Sequence, residues 1–250
     1  MPYAFLILPY IALLTAGLYG WWFLDPTSVF WVLGGIFVGY LLGAWWLDQT
    51  RRDWWRFAVT PTLLALAALA FSLLIPGKGG ALSVLVVAGI LQLLYWRYAY
   101  LYAARPGNYV PFSLERLGAS LDFLTVYFLT AAGYGLKTFL DVPTWMLALA
   151  FALLISLLWS QWLWVGKINR AVGWRHAAVA AVVLTELFLL QYFSPLDFRL
   201  LAFPVASGYY VLVNLMSLKM AGSLDRRKIY TLGAVLLVSW LAVFLTARWF

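Results

Sequence analysis

The chain has 250 residues, of which 65% are hydrophobic and 10% are charged. A water-soluble domain carries about a quarter of its residues as charged side chains, so this composition excludes a soluble fold. The chain contains no cysteine, which excludes disulfides, thiolate metal ligands and cysteine nucleophiles.

Apolar blocks of about 20 residues fill nearly the whole chain, and each is long enough as an α-helix to cross a hydrocarbon core about 30 Å thick. The blocks lack the alternation of polar and apolar residues that a transmembrane β-barrel requires. We therefore predict one all-α transmembrane domain over residues 1–250, a polytopic bundle of nine spans. The predicted spans cover about 4–24, 28–47, 57–75, 81–103, 117–136, 143–166, 176–193, 200–220 and 229–247.

The first block is interpreted as a retained span. No lysine or arginine precedes it, and no convincing small-residue cleavage site follows it, so it does not have the pattern of a signal peptide.

Basic residues predict the orientation of the spans. With a cytoplasmic N-terminus, 13 of the 17 lysines and arginines fall on the cytoplasmic side and four on the other. This asymmetry follows the positive-inside rule and predicts a cytoplasmic N-terminus and an extracytoplasmic C-terminus in the cell (plasma or inner) membrane. The net charge of +8 is then explained by anionic lipid headgroups at the cytoplasmic face and not by nucleic acid.

An internal duplication is visible at the ends of the first and fifth spans. The segment LTAGLYGWWFLDPT at 14–27 is echoed by LTAAGYGLKTFLDVPT at 129–144. We predict one repeat at about 4–107, a second at about 117–225, and a final helix at 229–247 outside both. Four spans per copy is an even number, so the repeats are expected to be parallel. Asp25 and Asp141, each closely followed by a proline, are predicted to N-cap the next helix.

Small residues recur in register in the second and sixth spans. Such a stripe lets helix backbones approach closely in a membrane, and it predicts tight packing of these two spans. The stripe consists of Gly35, Gly39 and Gly43, with the repeat counterparts Ala152, Ser156 and Ser160.

Ionisable residues inside a span are costly and are functional hypotheses by default. Glu186 lies about halfway along the seventh span, and Tyr209 or Tyr210 in the eighth is expected near its depth, with Asn214 further along. A hydrogen bond between the two helices could serve proton coupling or substrate binding, or a neutral carboxyl could simply tie the helices together.

A second polar group is predicted near the cytoplasmic third of the bundle. Arg97 and Asp122 each lie about one and a half turns inside the ends of the fourth and fifth spans, with Gln161 at similar depth. We predict an ion pair between the arginine and the aspartate within a polar layer.

The connection at residues 95–117 is the least bundle-like stretch and combines tyrosines, arginines and the turn Arg-Pro-Gly-Asn. It is interpreted either as an ordered linker with an aromatic belt or as a binding surface for a lipid headgroup. The headgroup-binding candidates are Arg105, Asn108, Glu115 and Arg116. Its Arg-Pro…Tyr…Pro-Phe-Ser-Leu-Glu pattern resembles that of uncharacterised multi-pass bacterial membrane proteins, a likeness that covers about 25 residues and implies no activity.

Catalytic patterns are absent from the sequence. His176 is the single histidine, and neither HExxH nor an acidic metal-binding run occurs, so we predict no metal and no cofactor. The favoured function is non-enzymatic, either a small transporter or a membrane assembly or scaffold subunit, with a second copy or a partner subunit left open. The alternative is a metal-independent enzyme that acts on a lipid or lipid-linked substrate at the cytoplasmic face.

Overall fold

The computed structural model describes residues 35, 38–45, 55–110, 113–165, 170–194, 196–220 and 222–246. Within these ranges the regular structure is entirely helical, and residues 38–45 form a short helical segment. A 3-10 turn, Pro106–Asn108, lies in the connection after the second long helix. The long helices are α1 (Arg56–Leu74), α2 (Lys78–Ala104), α3 (Ser113–Leu140), α4 (Thr144–Val165), α5 (Arg170–Tyr192), α6 (Phe198–Met220) and α7 (Arg226–Thr246).

All seven long helices are long and apolar enough to cross a membrane. They confirm the third to ninth predicted spans as helices, and the largest difference at a start is six residues, at α5 (170 against 176). The predicted first span at 4–24, the rest of the second span and Asp25 lie outside the described residues. The architecture is that of a multi-pass integral membrane protein.

The chain forms two compact units, which are described separately. Unit one comprises residues 1–125 and 164–166, and unit two comprises 126–163 and 167–250. The division falls inside α3, whose first 13 residues, 113–125, belong to unit one.

In unit one, α1 is the central helix. It packs against α2, and its Leu64, Ala65, Ala67 and Ala68 are fully buried. A helix that is apolar all round and buried on several sides is covered by protein and not by lipid. Small alanine side chains allow this close covering.

In unit two, a stack of three aromatic rings joins α3, α4 and α5. The ring of Phe188 lies nearly parallel to those of Tyr134 and Phe151, with centroids 4.7 and 4.8 Å away. The Tyr134 hydroxyl also donates a 2.7 Å hydrogen bond to the Phe188 carbonyl. Gly133 keeps this contact tight, because a Cβ there would lie 3.3 Å from the Phe188 ring. Further along the chain, α5 packs against α6 and α6 against α7.

The prediction that Asp141 caps the start of the next helix is wrong. Its φ of 48° is left-handed, its N–H donates to the Lys137 carbonyl, and it therefore ends α3. Aspartate tolerates this backbone better than most side chains do. Its carboxylate pairs with the Lys137 ammonium, whose hydrogen bond lowers the pKa of Asp141.

An aspartate N-cap does occur at the start of α6. The Asp197 carboxylate accepts a 2.9 Å hydrogen bond from the Arg199 backbone N–H. The same carboxylate pairs with the Arg199 guanidinium, and this side-chain hydrogen bond lowers the pKa of Asp197.

Replacement of Tyr134 by phenylalanine is expected to lower the free energy of unfolding by about 0.6 kcal/mol, and by no more than about 1.7 kcal/mol. The reason is that the substitution keeps the ring stack and removes only the hydrogen bond to Phe188. The measurement is reversible unfolding in mixed detergent micelles. Tyr192→Phe, on the exposed surface of the same unit, is the matched control and should leave stability unchanged. Equal effects of the two substitutions would contradict the assigned hydrogen bond.

Candidate functional site

Buried polar side chains in unit one form a connected group that we call the polar seam: Tyr40, Thr60, Gln92 and Asp122, together with the Pro61 carbonyl. The Tyr40 hydroxyl donates to the Gln92 amide oxygen, and the Gln92 amide nitrogen donates to the Pro61 carbonyl over 3.2 Å. The Thr60 hydroxyl donates to the Asp122 carboxylate over 3.0 Å. All four side chains are buried, and they connect segment 38–45, α1, α2 and α3.

The polar seam meets α1 at two adjacent residues, Thr60 and Pro61. Gln92 reaches α1 through the carbonyl of Pro61, and both its amide oxygen and its amide nitrogen have partners. The amide, hydroxyl, carboxylate and carbonyl groups of the polar seam supply hydrogen bonds between helical elements.

An aromatic side chain covers one side of the polar seam. The Trp96 ring stacks on Tyr40 with an interplanar angle of 4° and centroids 5.9 Å apart. A Cβ at Gly43 would lie 3.6 Å from the same tryptophan. At Gly35 and Gly39 an added Cβ would meet no atom within 4 Å, so the small-residue stripe marks a close approach only at Gly43 in the described part of this span.

The counterpart of the stripe on α4 has a local role. The Ser156 hydroxyl donates to the Ala152 carbonyl over 2.7 Å, and the Ser160 hydroxyl donates to the Leu157 carbonyl over 2.8 Å. Both serine hydroxyls are therefore satisfied within their own helix. Neither contributes a hydrogen bond to a neighbouring helix.

The structure separates the residues of the predicted polar layer. Arg97 is exposed and forms no ion pair with a described residue, whereas Asp122 is 3% exposed and accepts the Thr60 hydrogen bond. Gln161 belongs to unit two, where it is buried and neither amide atom has a hydrogen-bond partner among the described residues. The expected ion pair between Arg97 and Asp122 is not formed.

Glu186 lies on the exposed face of α5. The buried face of this helix contains Ala177, Ala180, Ala181, Leu184 and Phe188. The exposed face carries Glu186 among apolar side chains, and we call this set the outer stripe of α5: Val179, Val182, Val183, Glu186 and Leu190. Glu186 therefore points away from the core of unit two.

The tyrosines expected to bind Glu186 lie elsewhere. Tyr209 is 1% exposed, and its ring packs edge-on against Trp159 at 6.1 Å. Tyr210 is exposed, and its carbonyl accepts a 2.8 Å hydrogen bond from the Asn214 amide one turn later. Neither tyrosine donates to Glu186.

A second group of interacting residues lies at one end of unit one and was not predicted as a site. The Arg56 guanidinium lies 5.2 Å from the centroid of the Trp55 ring and 5.7 Å from that of Trp164. Phe57 packs edge-on against Trp164 with centroids 5.1 Å apart. Cation–π contacts of this kind hold a positive charge at the edge of an apolar region. The pattern Trp-Trp-Arg at 54–56 is the sequence feature that could have indicated it.

The connection between α2 and α3 is an ordered turn. The Tyr109 hydroxyl donates to the Glu115 carboxylate over 2.8 Å and accepts from the Leu114 N–H over 3.2 Å. Burial raises the pKa of Tyr109, with a further contribution from Glu115. Of the four headgroup-binding candidates, Glu115 is thus held within the turn. Arg105, Asn108 and Arg116 are exposed.

The described residues contain no group of three or more His, Asp or Glu side chains that could hold a metal ion. His176 is half-buried at the beginning of α5. Comparisons of the chain with protein-family models, with curated proteins and with solved structures gave no significant match. The functional reading therefore depends on the geometry of these residues alone.

Loss of Gln92 is expected to destabilise unit one. Gln92→Leu removes the partner of Tyr40 and a donor to Pro61, and a buried polar group left without its partner costs about 1–3 kcal/mol. Tyr40→Phe should cost less, because its ring stacking on Trp96 is kept.

A double-mutant cycle tests whether these two side chains interact. In the double variant the costs should not add, with a coupling energy of at least about 0.5 kcal/mol from unfolding in mixed micelles. Ser120→Ala, at an exposed site on α3, is the control. Strict additivity of Tyr40→Phe and Gln92→Leu would refute the polar seam.

Proposed function

We propose that this chain is a non-enzymatic membrane protein that acts as an assembly or scaffold subunit. The observation that carries the proposal is the contrast between its interior and its surface. The hydrogen bonds of Gln92, Thr60 and Tyr134 join helices of the chain itself. The ionisable side chain of Glu186, in contrast, is presented outwards on a membrane-spanning helix. Such a side chain supports association with another membrane component.

Transport is less well supported than assembly. Substrate sites of transporters are commonly built from discontinuous helices near the bilayer midplane. Here α1 and α6 continue through Pro61 and Pro204, and the Ser207 hydroxyl donates to the Pro204 carbonyl. Glu186, the residue expected to couple protons or bind substrate, lies outside the core of its unit.

The lipid-enzyme alternative has even less support. It requires acidic groups that are free to act as acid or base beside cations that hold a headgroup. Glu115 is engaged by Tyr109, and Asp122 accepts from Thr60 in a buried setting. Exposed Arg105 and Arg116 support the binding of anionic headgroups, which a scaffold subunit also needs for positioning.

The proposal includes a topology of nine spans, with a parallel 4+4 repeat, a final helix and a cytoplasmic N-terminus in the cell membrane. It depends on the uneven distribution of the 17 basic residues and on the echo of 14–27 at 129–144. In this topology the turn between α6 and α7 is cytoplasmic and the turn between α3 and α4 is extracytoplasmic.

Single-cysteine labelling tests this topology, because the natural chain has no cysteine. In intact cells a membrane-impermeant maleimide should label Val142→Cys, in the turn between α3 and α4. It should label Ser223→Cys, in the turn between α6 and α7, only after the membrane is permeabilised. The reverse pattern would overturn the proposed orientation. Labelling of both sites in intact cells would overturn the three crossings, α4, α5 and α6, that the topology places between the two turns.

Native mass spectrometry of the protein, purified with its native lipid, tests the assembly role. The expected result is a stoichiometric second polypeptide, with anionic lipid retained in addition. The matched variant is the double substitution Arg105→Gln with Arg116→Gln, which should reduce retained anionic lipid while keeping the second polypeptide. A monomer that co-purifies with a small solute, or that converts a bound lipid, would contradict the proposal.

A further inference from the structure

We propose that the outer stripe of α5 docks a transmembrane helix of a partner protein, and that this helix carries one lysine or arginine at the depth of Glu186. The inference rests on the proposed assembly role and identifies the chemistry of the partner. Its basis is a single acidic side chain, exposed among four exposed apolar residues, on a helix that crosses the membrane.

The first step concerns the orientation of α5. Glu186 lies two residues from both Leu184 and Phe188, which is about 200° around a helix of 3.6 residues per turn. Leu184 is fully buried, and Phe188 is held in the stack with Tyr134 and Phe151. A rotation of α5 that buried Glu186 within unit two would remove Phe188 from that stack. The fold of the unit therefore fixes the outward position of the carboxyl group.

The second step concerns depth. Glu186 lies six residues before the end of the span at Tyr192, or about 9 Å at a rise of 1.5 Å per residue. The side chain is therefore inside the hydrocarbon region, where an acidic group without a partner is costly and paired groups are the rule. The described structure gives Glu186 neither a hydrogen bond nor an ion pair, so the complementary group must come from outside this part of the chain.

The third step favours a different protein over a second copy of this chain. In the proposed topology, the described basic residues of unit two on the membrane side nearer to Glu186 are Lys137 and Arg199, which already pair with Asp141 and Asp197. Arg97 is exposed but lies six residues from the end of its span at Ala103, which the proposed topology places at the opposite membrane face from Glu186. A second copy in the same orientation would not bring this arginine to the depth of the acid. A separate helix with its own cation supplies the missing charge.

Fluorescence energy transfer in proteoliposomes tests the proposal. The protein carries one donor dye at Ser223→Cys, in an exposed turn of a chain without other cysteines. The probes are acceptor-labelled leucine–alanine peptides of about 20 residues, with either one lysine or one leucine about six residues inside one end. We expect the lysine peptide to associate roughly tenfold more tightly than the leucine peptide.

Variants of the outer stripe of α5 supply the controls. Glu186→Leu and Glu186→Gln should remove the preference for the lysine peptide, whereas Val182→Leu on the same stripe should keep it. Thermal unfolding should match the wild type in all three, because these side chains are exposed. Equal association of both peptides, or a preference that survives Glu186→Leu, would overturn the inference. Donor and acceptor copies of the protein that associate without peptide, and lose this in Glu186→Leu, would identify a second copy as the occupant and also overturn it.

The same variant separates this inference from the proposed function. If native mass spectrometry finds a stoichiometric second polypeptide that Glu186→Leu retains, the assembly role stands and the docking of a basic helix on α5 is wrong. If Glu186→Leu loses that polypeptide, and the lysine peptide competes with the polypeptide for the wild type, the assembly role and the docking of a basic helix on α5 are both supported. If no second polypeptide accompanies the wild type and neither peptide binds, both fail.

Discussion

The hydrocarbon core of a membrane offers no water to polar groups, and the structure depends on this constraint. A buried donor or acceptor that lacks a partner within the protein is therefore costly. The polar seam shows the solution in unit one, where Gln92 lies between the Tyr40 hydroxyl and the Pro61 carbonyl. Because an amide both donates and accepts, one residue on α2 connects two other helical elements. The interhelical hydrogen bonds thus reinforce packing that small residues such as Ala65 and Ala68 make possible.

The same constraint distinguishes Glu186 from two acidic residues of unit two that lie outside the spans. Asp141 and Asp197 lie in turns outside the spans, where each pairs with a basic residue close in sequence. These pairs are solvent-accessible and contribute little to stability, and they mainly fix helix ends. Glu186 differs from both, since it lies inside a span and has no partner among the described residues. Stability of the isolated chain does not account for an acid in this position.

The spans could be predicted from the sequence because length and apolarity are properties of a single segment. The contacts between spans could not, because they depend on the rotation of each helix about its axis. Arg97 and Asp122 were paired by depth alone, yet Arg97 lies five residues after Gln92, about 140° around the helix. With Gln92 turned into the polar seam, Arg97 is turned out. The sequence analysis did not predict the hydrogen bonds of Tyr40, Thr60 and Gln92, because their partners lie 31 to 62 residues away in the sequence.

Asp141 shows a different limit of sequence reasoning. An aspartate shortly before a proline fits the start of a helix, but the same residue also tolerates the left-handed backbone that ends one. Both readings agree with the residues Asp141 and Pro143, and the choice depends on where the last hydrogen bond of α3 falls. The local pattern therefore correctly predicts a turn at Asp141. It wrongly assigns this residue to the start of α4, whereas it ends α3.

The position of Glu186 follows from the energetics of its neighbours on α5. Each aromatic pair of the stack around Phe188 contributes about 0.5–1.5 kcal/mol beyond the area that it buries. The Tyr134 hydrogen bond adds to this. A half-turn rotation of α5 would lose both pairs and would expose Leu184, while it would bring a carboxyl group into a core whose described aromatic and alanine side chains offer it no charge partner. The helix is therefore held with the acid outwards, in the position where the proposed partner helix would pair with it.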